Sequence, residues 1–277
     1  MGKRIDAHHH LWRYSQEEYG WIDGSMSMLR RDFLPENLRV EMRSALVEGA
    51  VTVQARQTIE ETRWLLELAD QNEEILGVVG WAPIANENCP AALEEFSGRS
   101  KLKGLRHVVQ AEPDENFLLR EDFNRGIRAL RDTGLVYDIL IYERQLPQAI
   151  RFVDQHPQQT FVLDHIAKPR IREGVLEPWR TQIRELARRE HVACKLSGVV
   201  TEADWKSWSL ESLRPYLDTV IEAFGPQRIL VGSDWPVCLG VCGYAQWFDL
   251  LEQYLTGFRQ TEWDAMFGGN AERIYRL

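Results

Sequence analysis

The sequence predicts a single (β/α)8 barrel, and three observations predict it. Short apolar strand candidates alternate with amphipathic helices eight times along 277 residues. The strands are near-continuous hydrophobic runs, as in parallel sheets covered by helices. Ionisable residues recur at the C-terminal end of one strand after another, where such barrels carry their sites. An open doubly wound sheet is the structural alternative, but no G-x-G-x-x-G follows the first strand, so its dinucleotide-binding form lacks support. No Pro/Gly/Ser linker, repeat or low-complexity run divides the chain, and residues 1–277 read as one domain.

The first strand lies within Arg4-Ile5-Asp6-Ala7-His8-His9-His10. Side chains alternate along a strand, so His8 and His10 point one way and His9 the other. Two imidazoles side by side at a strand end can share a metal ion or grip one substrate oxygen. A purification tag and ordinary core histidines are the competing readings; a tag is usually longer and sits in a disordered linker, whereas Leu11-Trp12 follows here at once. Leu11 to Leu34 is then a long first βα loop, rich in Trp12, Tyr14, Tyr19 and Trp21, of a length used for lids and binding loops. Pro35 opens a helix to about Arg43, and Ala50–Gln54 is a buried strand. Thr58 starts a helix to about Asn72 with Trp64, Leu65 and Leu68 on one stripe. Strand Ile75–Trp81 and helix Pro90–Phe96 follow, then strand Leu102–Val108 and a helix from Arg120 to Asp132, stopped by Gly134. Strand Val136–Ile141 precedes a helix from Leu146 to His156 that ends before Pro157. The last units are Thr160–Asp164 with Pro178–Arg189, Val192–Leu196 with Leu210–Phe224 (closed by Gly225-Pro226), and Ile229–Val231 with Tyr244–Thr256. An extra C-terminal helical segment, Thr261–Tyr275, is interrupted at Gly268-Gly269.

The composition, 44% hydrophobic and 27% charged, is ordinary for a soluble enzyme. A net charge of −9, from 33 basic and 42 acidic residues, disfavours nucleic acid and anionic membrane as partners, since affinity for those comes largely from Lys and Arg neutralising phosphate. A small substrate is unconstrained by it, because only the field of its cleft matters. Apolar runs such as Ile75 to Trp81 fall short of the ~20 residues of a membrane span, and the start shows no apolar signal segment. Cys89, Cys194, Cys238 and Cys242 form no disulfide framework and read as reduced thiols in a cytoplasm. Cys238 and Cys242 have no second pair with which to build a structural zinc site. A homo-oligomer stays open.

At the C-terminal strand ends, strand one offers His8 and His10, strand four Arg106 and His107, and strand six Asp164-His165 with Lys168-Pro169 beyond. Strand seven offers Lys195 and Ser197, and strand eight ends Gly232-Ser233-Asp234-Trp235-Pro236. Buried charges are costly unless paired, so this many at one end argues for a site. Leu230, Gly232 and Asp234 share a face, which aims Asp234 at the barrel axis with room left by Gly232. Phe161, Leu163 and His165 share one too, which makes His165 inward and Asp164 outward. Arg106 is the inward member of its pair, since Gly104 shares its parity. Singly, each has a plainer reading: a core histidine for His165, a helix N-cap for Asp234, a solvated loop lysine for Lys168. Lys195 is harder to dismiss inside a strand, and Trp12 and Trp235 stand at strand ends beside proposed catalytic groups. The conjunction of His8, His10, His165 and Asp234 carries the reading.

With these residues in hand, the run Ile5-Asp6-Ala7-His8-His9-His10-Leu11-Trp12 resembles the opening H-x-H of the amidohydrolase superfamily. Gly104-Leu105-Arg106-His107, Val162-Leu163-Asp164-His165 with Lys168-Pro169, Lys195-Leu196-Ser197-Gly198, Gly232-Ser233-Asp234-Trp235-Pro236 and Gly268-Gly269-Asn270-Ala271-Glu272-Arg273 resemble its sugar-acid lactonase branch, which includes L-fuconolactonase and L-rhamnonolactonase. The resemblance runs end to end. It implies a (β/α)8 hydrolase acting on a small-molecule sugar lactone, with the family's metal-binding H-x-H on His8 and His10, its strand-six histidine on His165 and its strand-eight aspartate on Asp234. Strand five, Tyr137 to Ile141, offers no histidine, and strand four shows Arg106-His107 in place of a bridging lysine or glutamate. These departures argue against a two-metal centre and leave one divalent, zinc-like ion or none.

Lactone hydrolysis needs an attacking water, a polarised carbonyl and a proton for the leaving alkoxide. The expected roles are Asp234 as general base and His8, His10 and His165, with or without a metal, as stabilisers of the oxyanion. Arg106, His107, Lys195, Lys168, Trp12 and Trp235 are the substrate-binding candidates. Two other functions stay in contention: a single-metal nonoxidative decarboxylase of aromatic acids, and a non-catalytic binding barrel, which has no need of such convergence.

Overall fold

The computed structural model describes residues 2–277. Its centre is one parallel sheet in sequence order: β1 (Ile5–His9), β2 (Gly49–Val53), β3 (Ile75–Gly80), β4 (Leu102–His107), β5 (Val136–Ile139), β6 (Phe161–Leu163), β7 (Val192–Leu196) and β8 (Ile229–Val231). The last strand returns to the first, with Asp234 N donating to His8 O at 2.8 Å and His10 N to Trp235 O at 2.6 Å. The helices are α1 (Pro35–Ser44), α2 (Ile59–Gln71), α3 (Cys89–Glu95), α4 (Glu121–Arg131), α5 (Leu146–Gln155), α6 (Trp179–Leu186), α7 (Leu210–Phe224), α8 (Tyr244–Tyr254), α9 (Gln260–Asp264) and α10 (Asn270–Tyr275). This is the (β/α)8 barrel expected from the alternation of the sequence. No helix among the described residues is long and apolar enough to cross a membrane.

Local chemistry sets several boundaries. Thr58 caps α2 by accepting from Glu61 N, and Ser209 caps α7 by accepting from Ser212 N. Proline at the first position of α1 fits where the helix has no N–H to satisfy. Two apolar layers result. Phe161, Leu163, Tyr137, Phe152 and their neighbours fill the space between strands and helices. Ile5, Ala7, Val51, Val53, Val136, Val162, Ala193 and Leu230 fill the barrel, joined there by Ala271, Ile274 and Tyr275 of α10. The extra C-terminal segment therefore plugs the barrel.

That segment corrects one expectation. Gly268-Gly269 do not interrupt the helix; a π-helical turn, Ala265–Gly269, links α9 to α10 without a break. A Cβ on Gly268 would lie 1.9 Å from the carbonyl oxygen of Lys3, so the glycine permits close approach to the chain entering β1. A second irregularity matters more. Ile5 and Ala7 face the interior, yet the β1–β2 register slips between Asp6 and His9. The slip turns His8 and His10 into the barrel mouth and leaves His9 on the outer side, bonded to Thr52 Oγ1 at 2.9 Å.

Candidate active site

A cavity of ≈ 930 Å³ opens at the C-terminal ends of the strands, with His10, Arg106, His165 and Asp234 among its lining residues. His8 is fully buried behind His10 and Asp234 and does not line the cavity. His8 Nε2 is 3.2 Å from His10 Nε2, and Asp234 Oδ1 lies 3.7 Å from His8 Nε2, 3.3 Å from His10 Nε2 and 3.9 Å from His165 Nε2.

Two backbone devices bring these groups together. Asp6 accepts hydrogen bonds from His8 N, Ser233 N and Ser233 Oγ, tying β1 to the end of β8. After β6, His165, Ile166, Ala167 and Lys168 all have positive φ, between 47° and 61°. A left-handed turn of L residues costs roughly 1–2 kcal/mol per residue. It is held by burial of Ile166 and Ala167 and by Trp179 Nε1 donating to Ile166 O at 2.8 Å. The turn swings His165 inward until its Nδ1 meets Ser197 Oγ at 3.0 Å.

Below the mouth lies a sealed charge network. The Lys195 ammonium contacts Asp138, lies 3.0 Å from Asp164 Oδ1, and is 3.2 Å from His8 Nδ1. Arg106 donates to Asp164 Oδ2 at 2.9 Å, to Gln54 Oε1 at 2.9 Å and to the Gln54 carbonyl. Tyr275 donates to Asp138 from the plug. Burial pushes Asp138 up to about 6, against the pull of Lys195. Burial works against ionised Asp164 too, but Lys195, His8 and Arg106 outweigh it and hold that carboxyl well below its ordinary range. At Asp234 burial is likewise overcome, by His165, His10 and His8, so the group stays ionised. Burial lowers His8 well below its usual value and His165 to about 4, so both are neutral near pH 7.

The donor set fits a divalent ion. His10 Nδ1 sits 2.8 Å from the Val53 carbonyl, which can only accept, so the proton belongs on Nδ1 and the Nε2 lone pair is free. His8, His10 and Asp234 offer ligand atoms that lie within 4.8 Å of one another. Ligand atoms about 2.1 Å from one centre stand about 3.4 Å apart in a tetrahedron, close to the 3.2, 3.7 and 3.3 Å separations among His8, His10 and Asp234. A second set, His8, Asp164 and His165, shares His8 with the first, and its Asp164 is already engaged by Arg106 and Lys195.

The structure revises several positions expected from sequence. Asp164 is inward, not outward: Val162 belongs to the barrel interior and Phe161 and Leu163 to the outer layer, so β6 has the opposite parity, and His165 enters by the left-handed turn. Lys195 faces inward but is sealed beneath His8, where it reaches carboxylates and not the cavity. His107 points outward, with Nε2 2.7 Å from Glu112 Oε1 and its ring stacked on Phe117. Trp12 is buried against Tyr19, Trp21 and Phe33, with its N–H on Arg31 O; Trp235 is buried against Phe33. Neither indole lines the cavity, whereas Arg106 and Lys168 do. Sequence reasoning passed over Asp138, Gln54 and Tyr275. Asp138 was within reach, since it shares the parity of Val136, its apolar partner on the inner face.

Comparison with known proteins gives consistent matches. The amidohydrolase family model matches residues 5–277. An L-fucono-1,5-lactonase of Burkholderia multivorans is 41% identical over 99% of this chain and 96% of its own length. An L-fucono-1,5-lactonase of Burkholderia ambifaria is 34% identical over 100% and 97%. A crystal structure of an amidohydrolase from Burkholderia multivorans with bound zinc superposes with a TM-score of 0.95 at 42% identity, covering 99% of each chain.

Proposed function

This chain belongs to the amidohydrolase family, and on that premise we propose that it hydrolyses the lactone ring of a sugar acid, with an L-fucono-1,5-lactone-like substrate. The observation that carries the reading is the convergence of His8, His10 and His165 on an ionised Asp234 at the base of a cavity sized for a small molecule.

The chemistry follows from charge. Asp234 is ionised at neutral pH, so it can accept a proton from a water lodged beside it. That water adds to the lactone carbonyl, and the carbonyl oxygen gains negative charge. Arg106, buried and fixed by Asp164 and Gln54, lies 3.3 Å from His8 Nε2 and supplies a positive field at this end of the cavity. His8, His10 and Asp234, with His165 facing the same carboxylate, would hold a divalent ion, and it would supply Lewis acidity for the same oxygen. When the ring C–O bond breaks, the proton on Asp234 passes to the ring oxygen, which leaves as a hydroxyl, and the product is the open-chain sugar acid. Lys168, at the rim, holds substrate hydroxyls or the new carboxylate.

The test is a screen of aldonolactones by acid release, with and without chelator, alongside CO₂ release from aromatic acids. Opening of a 6-deoxy-sugar 1,5-lactone well above its spontaneous rate supports the proposal. CO₂ release without ring opening overturns it in favour of a decarboxylase.

A further inference from the structure

Of the ten tryptophans in the chain, only two are exposed, Trp21 at 44% and Trp205 at 37%, and both line the active-site cavity. Trp21 comes from the loop after β1 and Trp205 from the loop after β7. Neither hangs free. Trp21 packs edge-on against buried Trp12 at 5.9 Å, and the Trp205 N–H donates to Thr201 O at 2.9 Å while its ring rests 3.8 Å from where a side chain on Gly240 would begin. A fixed indole left in water is a binding surface waiting for an apolar face.

The cavity also has room to spare. A 6-deoxyhexonolactone has eleven heavy atoms; even at roughly 30 Å³ each, the share a water takes in the liquid, it fills about 330 Å³. The cavity measures ≈ 930 Å³, and a neighbouring one of ≈ 640 Å³ shares Tyr142, Lys168, Thr201, Glu202 and Trp205 with it. The same cavity is lined by Glu18, Arg56, Lys168, Thr201 and Glu202, donors and acceptors suited to hydroxyls. Aromatic faces edged by such groups match a pyranose, which is apolar on its faces and polar around its rim.

We propose that Trp21 and Trp205 form an outer subsite for a second sugar ring, so that the enzyme opens lactones of glycosylated sugar acids in preference to the bare monosaccharide lactone. The proposal rests on the lactonase reading; ring opening itself is unchanged, and the second ring contributes binding only.

The experiment uses the full chain, the parent lactone and the set of its derivatives carrying one pyranose on each ring hydroxyl in turn. The readout is the ratio of kcat/KM for derivative over parent within each protein, in which any loss of folded enzyme cancels. In the wild type, at least one derivative exceeds the parent about tenfold. Trp21→Ala and Trp205→Ala each cut that ratio by about 3- to 10-fold, the size of one aromatic stacking contact. Absence of any derivative above the parent, or a ratio that survives both replacements, overturns the subsite. Failure to open the parent and every derivative would instead sink the lactonase reading.

Discussion

Lys195→Met removes a charge from the best-sealed part of the molecule while keeping the length of its stem. The ammonium is inaccessible, contacts Asp138 and lies 3.0 Å from Asp164. With it gone, Arg106 still serves Asp164 and Tyr275 still donates to Asp138, but two neighbouring carboxylates share a single guanidinium. Stranding one member of a buried ion pair costs about 3–5 kcal/mol. Asp138 is the group that yields. It already stands at about 6 against an ordinary 3.8, and without Lys195 it climbs further and takes up a proton. A carboxyl whose folded pKa exceeds its unfolded one binds more protons when folded, so its contribution is present at low pH and is lost as pH rises through the folded pKa. The variant should therefore lose about 3–5 kcal/mol near pH 8 and at least about 1 kcal/mol less near pH 5.5. Adding Asp138→Asn should return about 1–2 kcal/mol near pH 8, because one stranded charge disappears. Urea unfolding followed by tryptophan fluorescence at both pH values measures all three. A single variant as stable as the wild type near pH 8, or a deficit that does not change with pH, refutes the view of Lys195 as counter-ion to both carboxylates.

Two further outcomes follow from local geometry. Gly198 has φ +59°, and a Cβ there would lie 2.5 Å from His165 Nδ1 and 3.0 Å from Asp234 Oδ2; Gly198→Ala should displace both groups and cut kcat at least about 100-fold, with far-UV circular dichroism unchanged. His156 is held down to about 4, first by burial and then by Arg128 and Arg131, with Nε2 2.6 Å from Asn124 Oδ1. Because its folded pKa is depressed, its contribution is present above about 6.5 and lost as pH falls toward about 4; His156→Gln should flatten the thermal stability curve across that window, and an identical curve would remove His156 as its cause.

How much of this was legible in the chain depended on whether a local rule governed the position. Arg106 was readable because Gly104 marks its parity on an ordinary strand; Asp234 was read as inward too, although it lies past the end of β8 with φ +58°, where strand parity no longer governs. Asp164 was not, because β6 spans only three residues and nothing local says which of Phe161 and Val162 faces the axis. His165 was read as inward, but from an alternation that β6 does not follow; the left-handed turn that brings it in was invisible, since His, Ile, Ala and Lys give no signal of one and it is the packing of Trp179 and Ile166 that imposes it. Trp12 and Trp235 stand beside the proposed catalytic groups in sequence, yet their loops fold them away from the cavity; Trp21, on the same loop as Trp12, lines it. Asp138 was passed over because attention fell on the missing histidine of strand five, although alternation from Val136 marks it as inward.

The most direct test of the central claim is the turnover of a 6-deoxy-sugar 1,5-lactone by Asp234→Asn beside the wild type. If Asp234 takes the proton of the attacking water, kcat falls roughly 10²–10⁴-fold while the protein keeps its fold and its unfolding temperature within a few degrees. A folded Asp234→Asn enzyme that opens the lactone at the wild-type rate, with the wild-type pH profile, contradicts the account.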